Sequence, residues 1–296
     1  MSPPGRPKGE YRRAQPEGGP MSPRRRLGAS ARLAVLTLAA LAVLLPFAWI
    51  VAASFKNEID ITMGRLAFSP TLVHFDELLF SRGSNFLRNY ANSFGVALAS
   101  TALCLTAGTL GAYALSRLDT PAWLQHALLG WSMLYYMTPQ MTLVGSWYVL
   151  FRQVGLGESY TALVLTHTVM NLPMALWLMG AFLRDVPLEL EEAARVDACG
   201  PVKTFTHVVL PLLRPGLLAT GALLFIFSWN EFAVSLALTR NETATVPVAL
   251  AKFAQDFDMK YGAMAAAATL SLLPALLLLL VATRSLVRGL TQGALK

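Results

Sequence analysis

The sequence predicts an all-α membrane protein with six transmembrane helices, and three observations carry that prediction. Of 296 residues, 55% are hydrophobic and 14% charged, against roughly 25% charged in ordinary soluble domains. The apolar residues gather in continuous runs, each long enough to cross about 30 Å of hydrocarbon at about 1.5 Å per residue. The runs lack the alternating, roughly ten-residue pattern of a membrane β-barrel, so their backbone groups must be satisfied within helices.

Residues 1–30 are rich in Pro, Gly and Arg and nearly free of apolar side chains, which predicts a disordered tail. The basic cluster Arg24-Arg25-Arg26 precedes the first apolar run, 31–53. A signal peptide is the competing reading, but that run exceeds the usual core of about 7–15 residues, and an uncleaved first span is expected. Further spans are expected over 92–116, 127–150, 161–183, 216–238 and 263–284, completing a six-span domain at 31–286 with a C-terminal tail at 287–296. Pro46, Pro139, Pro173 and Pro274 lie in or near spans, where neighbouring helices can re-satisfy a kinked backbone. The two outer segments, 54–91 and 239–262, read as ordered loops with room for short helices.

With the N-terminus inside, roughly two-thirds of the 24 Lys and Arg residues fall on the cytoplasmic side, which predicts cytoplasmic ends. The net charge of +7 is absorbed by this bias and does not call for a nucleic-acid partner. Cys104 and Cys199 give no disulfide framework, and the four scattered histidines give no metal spacing. No G-x-x-x-x-G-K-[ST], H-E-x-x-H or G-x-S-x-G occurs. The chain should therefore not bind ATP phosphates, hold a metal or act as an enzyme.

One charged block stands between two apolar runs: Glu191-Glu192-Ala193-Ala194-Arg195-Val196-Asp197-Ala198-Cys199-Gly200. Pro187 suits a helix start, and Glu189, Glu191 and Glu192 favour the positive end of a helix dipole. Gly200-Pro201 should interrupt that helix, and a second should run from Val202 to Leu210 until Pro211 stops it. The segment 184–215 is thus expected to fold as a cytoplasmic helix-turn-helix. Physical reasoning leaves two uses open: a docking hairpin for another protein, or an amphipathic hairpin lying on the headgroups.

The order Glu192-Ala193-Ala194, Ala198, Val208, Leu210-Pro211 resembles the EAA signature of ABC importer permeases, in particular the carbohydrate-uptake, MalG-like subfamily. Ser228-Trp229-Asn230-Glu231-Phe232 and Val287-Arg288-Gly289-Leu290-Thr291-Gln292-Gly293-Ala294 resemble further stretches of that family, and the likeness covers roughly 31–296. The resemblance implies a bacterial or archaeal inner-membrane permease that moves a sugar or related polyol by alternating access. Its implied partners are a second homologous permease, a cytoplasmic ATPase dimer that holds ATP and Mg, and an extracytoplasmic solute-binding protein. Glu192, Ala193, Ala194, Asp197, Ala198, Gly200, Leu210 and Pro211 are the implied coupling residues, with Glu192 foremost. Where this chain has Ala198 the family usually has glycine. If that position needs a positive φ, Ala198 would resist it, and Gly200 is the candidate to take over the turn. A permease for a non-sugar solute, an ion-driven carrier and a transport-free scaffold are the rival readings.

Polar groups within spans are functional candidates by default. Trp229, Asn230 and Glu231 either line the translocation pathway or satisfy groups inside the helix packing. Asn171 shares a helix face with His167 and is a pathway candidate, an interhelical hydrogen bond being the alternative. Trp147 and Tyr148 suit an interfacial belt. Gly108 and Gly111, with Ala107 and Ala112, offer a close-packing surface.

Overall fold

The computed structural model describes residues 23–253 and 260–293, all of the regular structure being helical. The chain divides into two compact units between Trp49 and Ile50. Helix α1 (Pro23–Ala53) starts inside the segment expected to be a tail; residues 1–22 lie outside the described ones. Proline at a first helical position gives up no hydrogen bond, and the Arg and Leu residues that follow are good helix formers.

In the second unit, α2 (Glu58–Thr62) and α3 (Val73–Phe80) occupy the first expected loop. The long helix α4 (Phe86–Arg117) covers the expected second span and extends beyond it at its N-terminal end. The expected third span is two helices, α5 (Ala122–Met137) and α6 (Gln140–Gln153). The break falls at Thr138-Pro139, where both residues are extended. Proline lacks a donor and pushes the preceding residue out of the α region, so the apolar run continues while the helix does not. Helix α7 (Tyr160–Arg184) carries Pro173 without interruption.

The charged block forms α8 (Leu188–Val196), a tight turn and α9 (Pro201–Thr204). Pro187 is the extended residue just before α8 rather than its first turn. A π-helical turn (Phe205–Val209) and α10 (Leu210–Leu212) follow, so Pro211 does not end the second helix as expected. A proline ring clashes with the carbonyl four residues back, and widening the preceding turn relieves that clash. Leu212 is succeeded by a 73° bend into α11 (Arg214–Trp229).

The expected fifth span is also split, into α11 and α12 (Ala233–Leu238), around Asn230-Glu231-Phe232. Next come α13 (Val246–Phe253) and α14 (Tyr261–Gly293), which runs past the expected boundary at 286. Among the described residues four helices, α1, α4, α7 and α14, are long and apolar enough to cross a membrane alone, and the bent segment Pro201–Trp229 makes a fifth candidate.

Helices α4 and α7 form the principal pair of the second unit, with α11 against both and α14 against α11. The close approach expected of Gly108 is present: a Cβ there would lie 2.7 Å from Ala175 Cβ and 3.0 Å from its carbonyl carbon. Ala112, Tyr113, Met179 and Leu183 continue the seam toward the charged block. Cys104 is fully buried and its thiol donates to the Thr168 carbonyl at 3.2 Å, so it acts as a small core residue.

Candidate coupling loop and the polar helix break

Two features could carry function, the charged loop and the break in the fifth apolar run. In the loop the two adjacent glutamates separate cleanly. Glu191 is fully buried, whereas Glu192 is exposed. Glu191 Oε1 lies 2.8 Å from Arg117 Nε at the end of α4, and the Tyr113 hydroxyl donates to its other oxygen at 3.2 Å. Arg117 Nη2 also donates to the carbonyls of Leu183 (2.9 Å) and Val186 (2.7 Å). Arg117 thereby gathers the free carbonyls at the end of α7 and the carboxylate of α8, tying the loop to α4 and α7. The sequence reading missed this pair. Its only trace was the i, i+4 spacing of Tyr113 and Arg117, which places both on one face of α4.

Of the residues expected to couple, Glu192, Ala193, Asp197, Ala198 and Gly200 are exposed, Ala194 is buried, and Leu210 and Pro211 are half-buried. Val196 and Val202 project beside them, 87% and 77% exposed. An acidic, small-residue surface flanked by two bare valines, held on a rigid base, is suited to receiving another protein.

The turn after α8 contradicts one expectation. Ala198 adopts φ +56°, while Gly200 is extended at φ −71°. The amide of Ala198 donates to Arg195 O (3.0 Å) and that of Cys199 to Ala194 O (2.9 Å). These two bonds are the Schellman arrangement, in which the residue after the C-cap is left-handed. The bonds depend on residue position, so Ala198 takes the strain and the glycine two places later cannot relieve it.

At the break, Glu231 accepts from the backbone amides of Val234 (2.7 Å) and Ser235 (2.8 Å) and from the Ser235 hydroxyl (2.7 Å). A carboxylate before α12 thus satisfies the donors that a new helix leaves free. The buried ring of His167 in α7 faces the same point. Its Nδ1 is 2.6 Å from Ser228 Oγ, and its Nε2 lies 3.2 Å from Ser235 Oγ and 3.5 Å from Glu231 Oε2. Ser228 Oγ is 3.0 Å from Ser100 Oγ of α4. A polar thread therefore joins α4, α7, α11 and α12 across the break.

The other pathway candidates are dispersed. Trp229 is 3% exposed and donates to Ser271 O of α14 at 3.1 Å, inside the core with Phe225 and Ala266. Asn230 is exposed and donates back to Ile226 O. Asn171 is half-buried and donates to the carbonyl of His167 within its own helix, so the interhelical bonds come from the histidine ring. Trp147 and Tyr148 pack partly buried against the cluster of Phe151 and Leu163. Among the described residues, no three His, Cys, Asp or Glu side chains come together to hold an ion.

Residues 105–292, which include both features, match the family model described as binding-protein-dependent transport system inner membrane component. The trehalose transport system permease protein SugB of Mycobacterium tuberculosis is 35% identical over 86% of this chain and 92% of its own length. The trehalose/maltose transport system permease protein MalG of Thermococcus litoralis is 32% identical over 88% and 94%. A chain of a bacterial ABC transporter involved in import of the acidic polysaccharide alginate superposes with a TM-score of 0.76 at 20% identity, covering 90% of this chain and 99% of that one. The helical architecture is thus a known permease fold, and the chain is a multi-pass membrane protein belonging to the binding-protein-dependent transport system inner membrane component family.

Proposed function

We propose that this chain is a permease subunit of an ABC importer that carries a sugar or a related polyol or oligosaccharide into the cytoplasm. The observation that carries the reading is the loop on which Glu192, Ala193 and Asp197 are exposed while Glu191 anchors them to α4. The names of relatives 32–35% identical to this chain, which refer to trehalose, maltose or diacetylchitobiose, support the solute class. The proposed assembly has a second homologous permease, a cytoplasmic ATPase dimer that binds ATP and Mg, and an extracytoplasmic solute-binding protein. Six spans place both termini and the loop 184–215 in the cytoplasm, with the α5–α6 and α11–α12 pairs as the third and fifth spans.

In this mechanism, closure of the ATPase dimer moves the exposed face of α8. A hydrogen-bonded charged contact at Glu192 transmits the motion, and the Arg117–Glu191 pair passes it to α4 as a rigid unit. The access change is a rotation of packed helices, for which the break at Asn230–Phe232 supplies a hinge position. An ion-driven carrier would need a membrane acid free to exchange its ion, whereas both oxygens of Glu231 are engaged by Val234, Ser235 and His167. The test is affinity purification of the tagged full chain from its native membrane. An ATPase, a second permease and a binding protein in comparable yield are expected. Recovery of the chain alone in mild detergent would overturn the reading.

A further inference from the structure

The charged loop has two arms of opposite character. The first, α8 with its C-cap, is acidic, and Glu189, Glu192 and Asp197 are exposed on it. The second runs from Pro201 to Leu212, through α9, the π-helical turn and α10. No Asp or Glu occurs between Asp197 and Glu231, whereas Lys203, His207 and Arg214 fall in that stretch. The second arm is also two-faced. Thr204 and Val209 are buried, and the Phe205 ring lies 4.8 Å from that of Tyr113 on α4. Lys203, Thr206 and His207 are exposed on the other side. His207 Nδ1 lies 3.2 Å from the Lys203 carbonyl oxygen and 2.8 Å from Thr206 Oγ1, so its ring folds back beside Lys203. Arg214 is exposed at the first position of α11, with the exposed Leu212 and Leu218 on either side in sequence. Among the described residues none of these three basic side chains forms an ion pair.

We propose that the second arm is a binding surface for anionic phospholipid headgroups, with Lys203, His207 and Arg214 as phosphate contacts and Leu212 and Leu218 against the acyl chains. The 73° bend sets the attitude of the arm. With α11 crossing the membrane, an arm at 73° to it runs nearly along the membrane surface. From Lys203 to Leu212 it extends about 14 Å but descends only about 4 Å along α11. The headgroup layer is about 5–7 Å deep on each side of the hydrocarbon, so all three basic residues fall within its depth. Lys and Arg donate charge-assisted hydrogen bonds to phosphate oxygens, and a helix with a basic face and apolar neighbours suits this boundary. An anionic surface would repel the carboxylates of α8, so the acidic arm turns to protein and the acid-free arm to lipid. The cytoplasmic side of the membrane rests on the importer topology above, but the basic stripe and the bend do not.

The test is native mass spectrometry of the full chain in mild detergent, titrated with phosphatidylglycerol and, separately, with phosphatidylcholine. Phosphatidylglycerol is expected to bind more tightly. Lys203→Gln and Arg214→Gln should each weaken that binding about fivefold, the worth of one basic residue at an anionic surface, and the double variant should weaken it further. Arg214→Lys, which keeps the charge, should bind as wild type does. So should Arg195→Gln, which removes one exposed charge from α8 instead. All three positions are exposed, so thermal midpoints should match wild type. Equal affinity for the two lipids, or a loss in Arg195→Gln as large as in Lys203→Gln and Arg214→Gln, overturns the proposal. So does unchanged phosphatidylglycerol binding in a double variant that no longer brings down the ATPase, which makes the arm a protein contact. If lipid binding follows the variants but wild type brings down no ATPase, the importer reading falls and the lipid surface stands.

Discussion

Arg117 and Glu191 form an ion pair of 2.8 Å with side chains 9% and 1% exposed, joining the end of α4 to the middle of α8. Two charges this deep are retained only because each has further partners, here Tyr113 and the carbonyls of Leu183 and Val186. Glu191→Ala leaves a buried guanidinium uncompensated and should lower stability by about 3–5 kcal/mol, read as a fall in the thermal midpoint of the purified complex. The double variant Arg117→Met with Glu191→Leu should recover most of that loss. A double variant no more stable than the single would show that the pair is not the anchor.

Glu192→Lys should behave in the opposite way. The side chain is exposed, so insertion and thermal midpoint should match wild type. Uptake should fall to background while the ATPase turns over without coupling. Wild-type uptake in this variant would falsify the contact assigned to Glu192.

Ala198→Gly should stabilise the loop by about 1 kcal/mol, because the residue sits at φ +56° where only glycine escapes the Cβ penalty. Gly200→Ala should be close to neutral: that residue is extended, and an added Cβ meets nothing within 4 Å. Amide exchange in residues 188–200 is the sensitive readout, with protection rising in the first variant and unchanged in the second. The reverse order would place the strain at Gly200.

Gly108→Leu should be destabilising by about 1–3 kcal/mol through overpacking, since even a methyl at this position would press on the Ala175 backbone. Gly130→Leu, at an open position, is the matched control, and unfolding in increasing denaturing detergent compares the two. Equal loss in both variants would exclude the close α4–α7 approach as the cause.

Glu231→Ala removes the acceptor for the Val234 and Ser235 amides and should cost about 1–2 kcal/mol by loss of a helix-starting cap. His167→Leu should also weaken the thread between Ser228 and Ser235. If the break is the hinge, both variants slow uptake more than they reduce yield of the folded complex. Unaltered transport with reduced yield would leave the break a structural feature only.

The sequence by itself determined the membrane class, the helical fold and the place of the charged helical loop. Apolar composition and run length follow directly from bilayer thickness and from the need to satisfy the backbone in hydrocarbon. The EAA order and the acidic start of α8 are local in the chain, so they are legible residue by residue. The tertiary structure alone decided which of two adjacent glutamates is free. Nothing in Glu191-Glu192 distinguishes them until Arg117, far away in sequence, takes one and solvent the other. It likewise decided that Trp229 is a core anchor, that Ala198 rather than Gly200 is left-handed, and that proline at 139 breaks a helix while proline at 173 does not. Each of these outcomes depends on which neighbour supplies a missing hydrogen bond or fills a space, and such neighbours meet only when the helices pack.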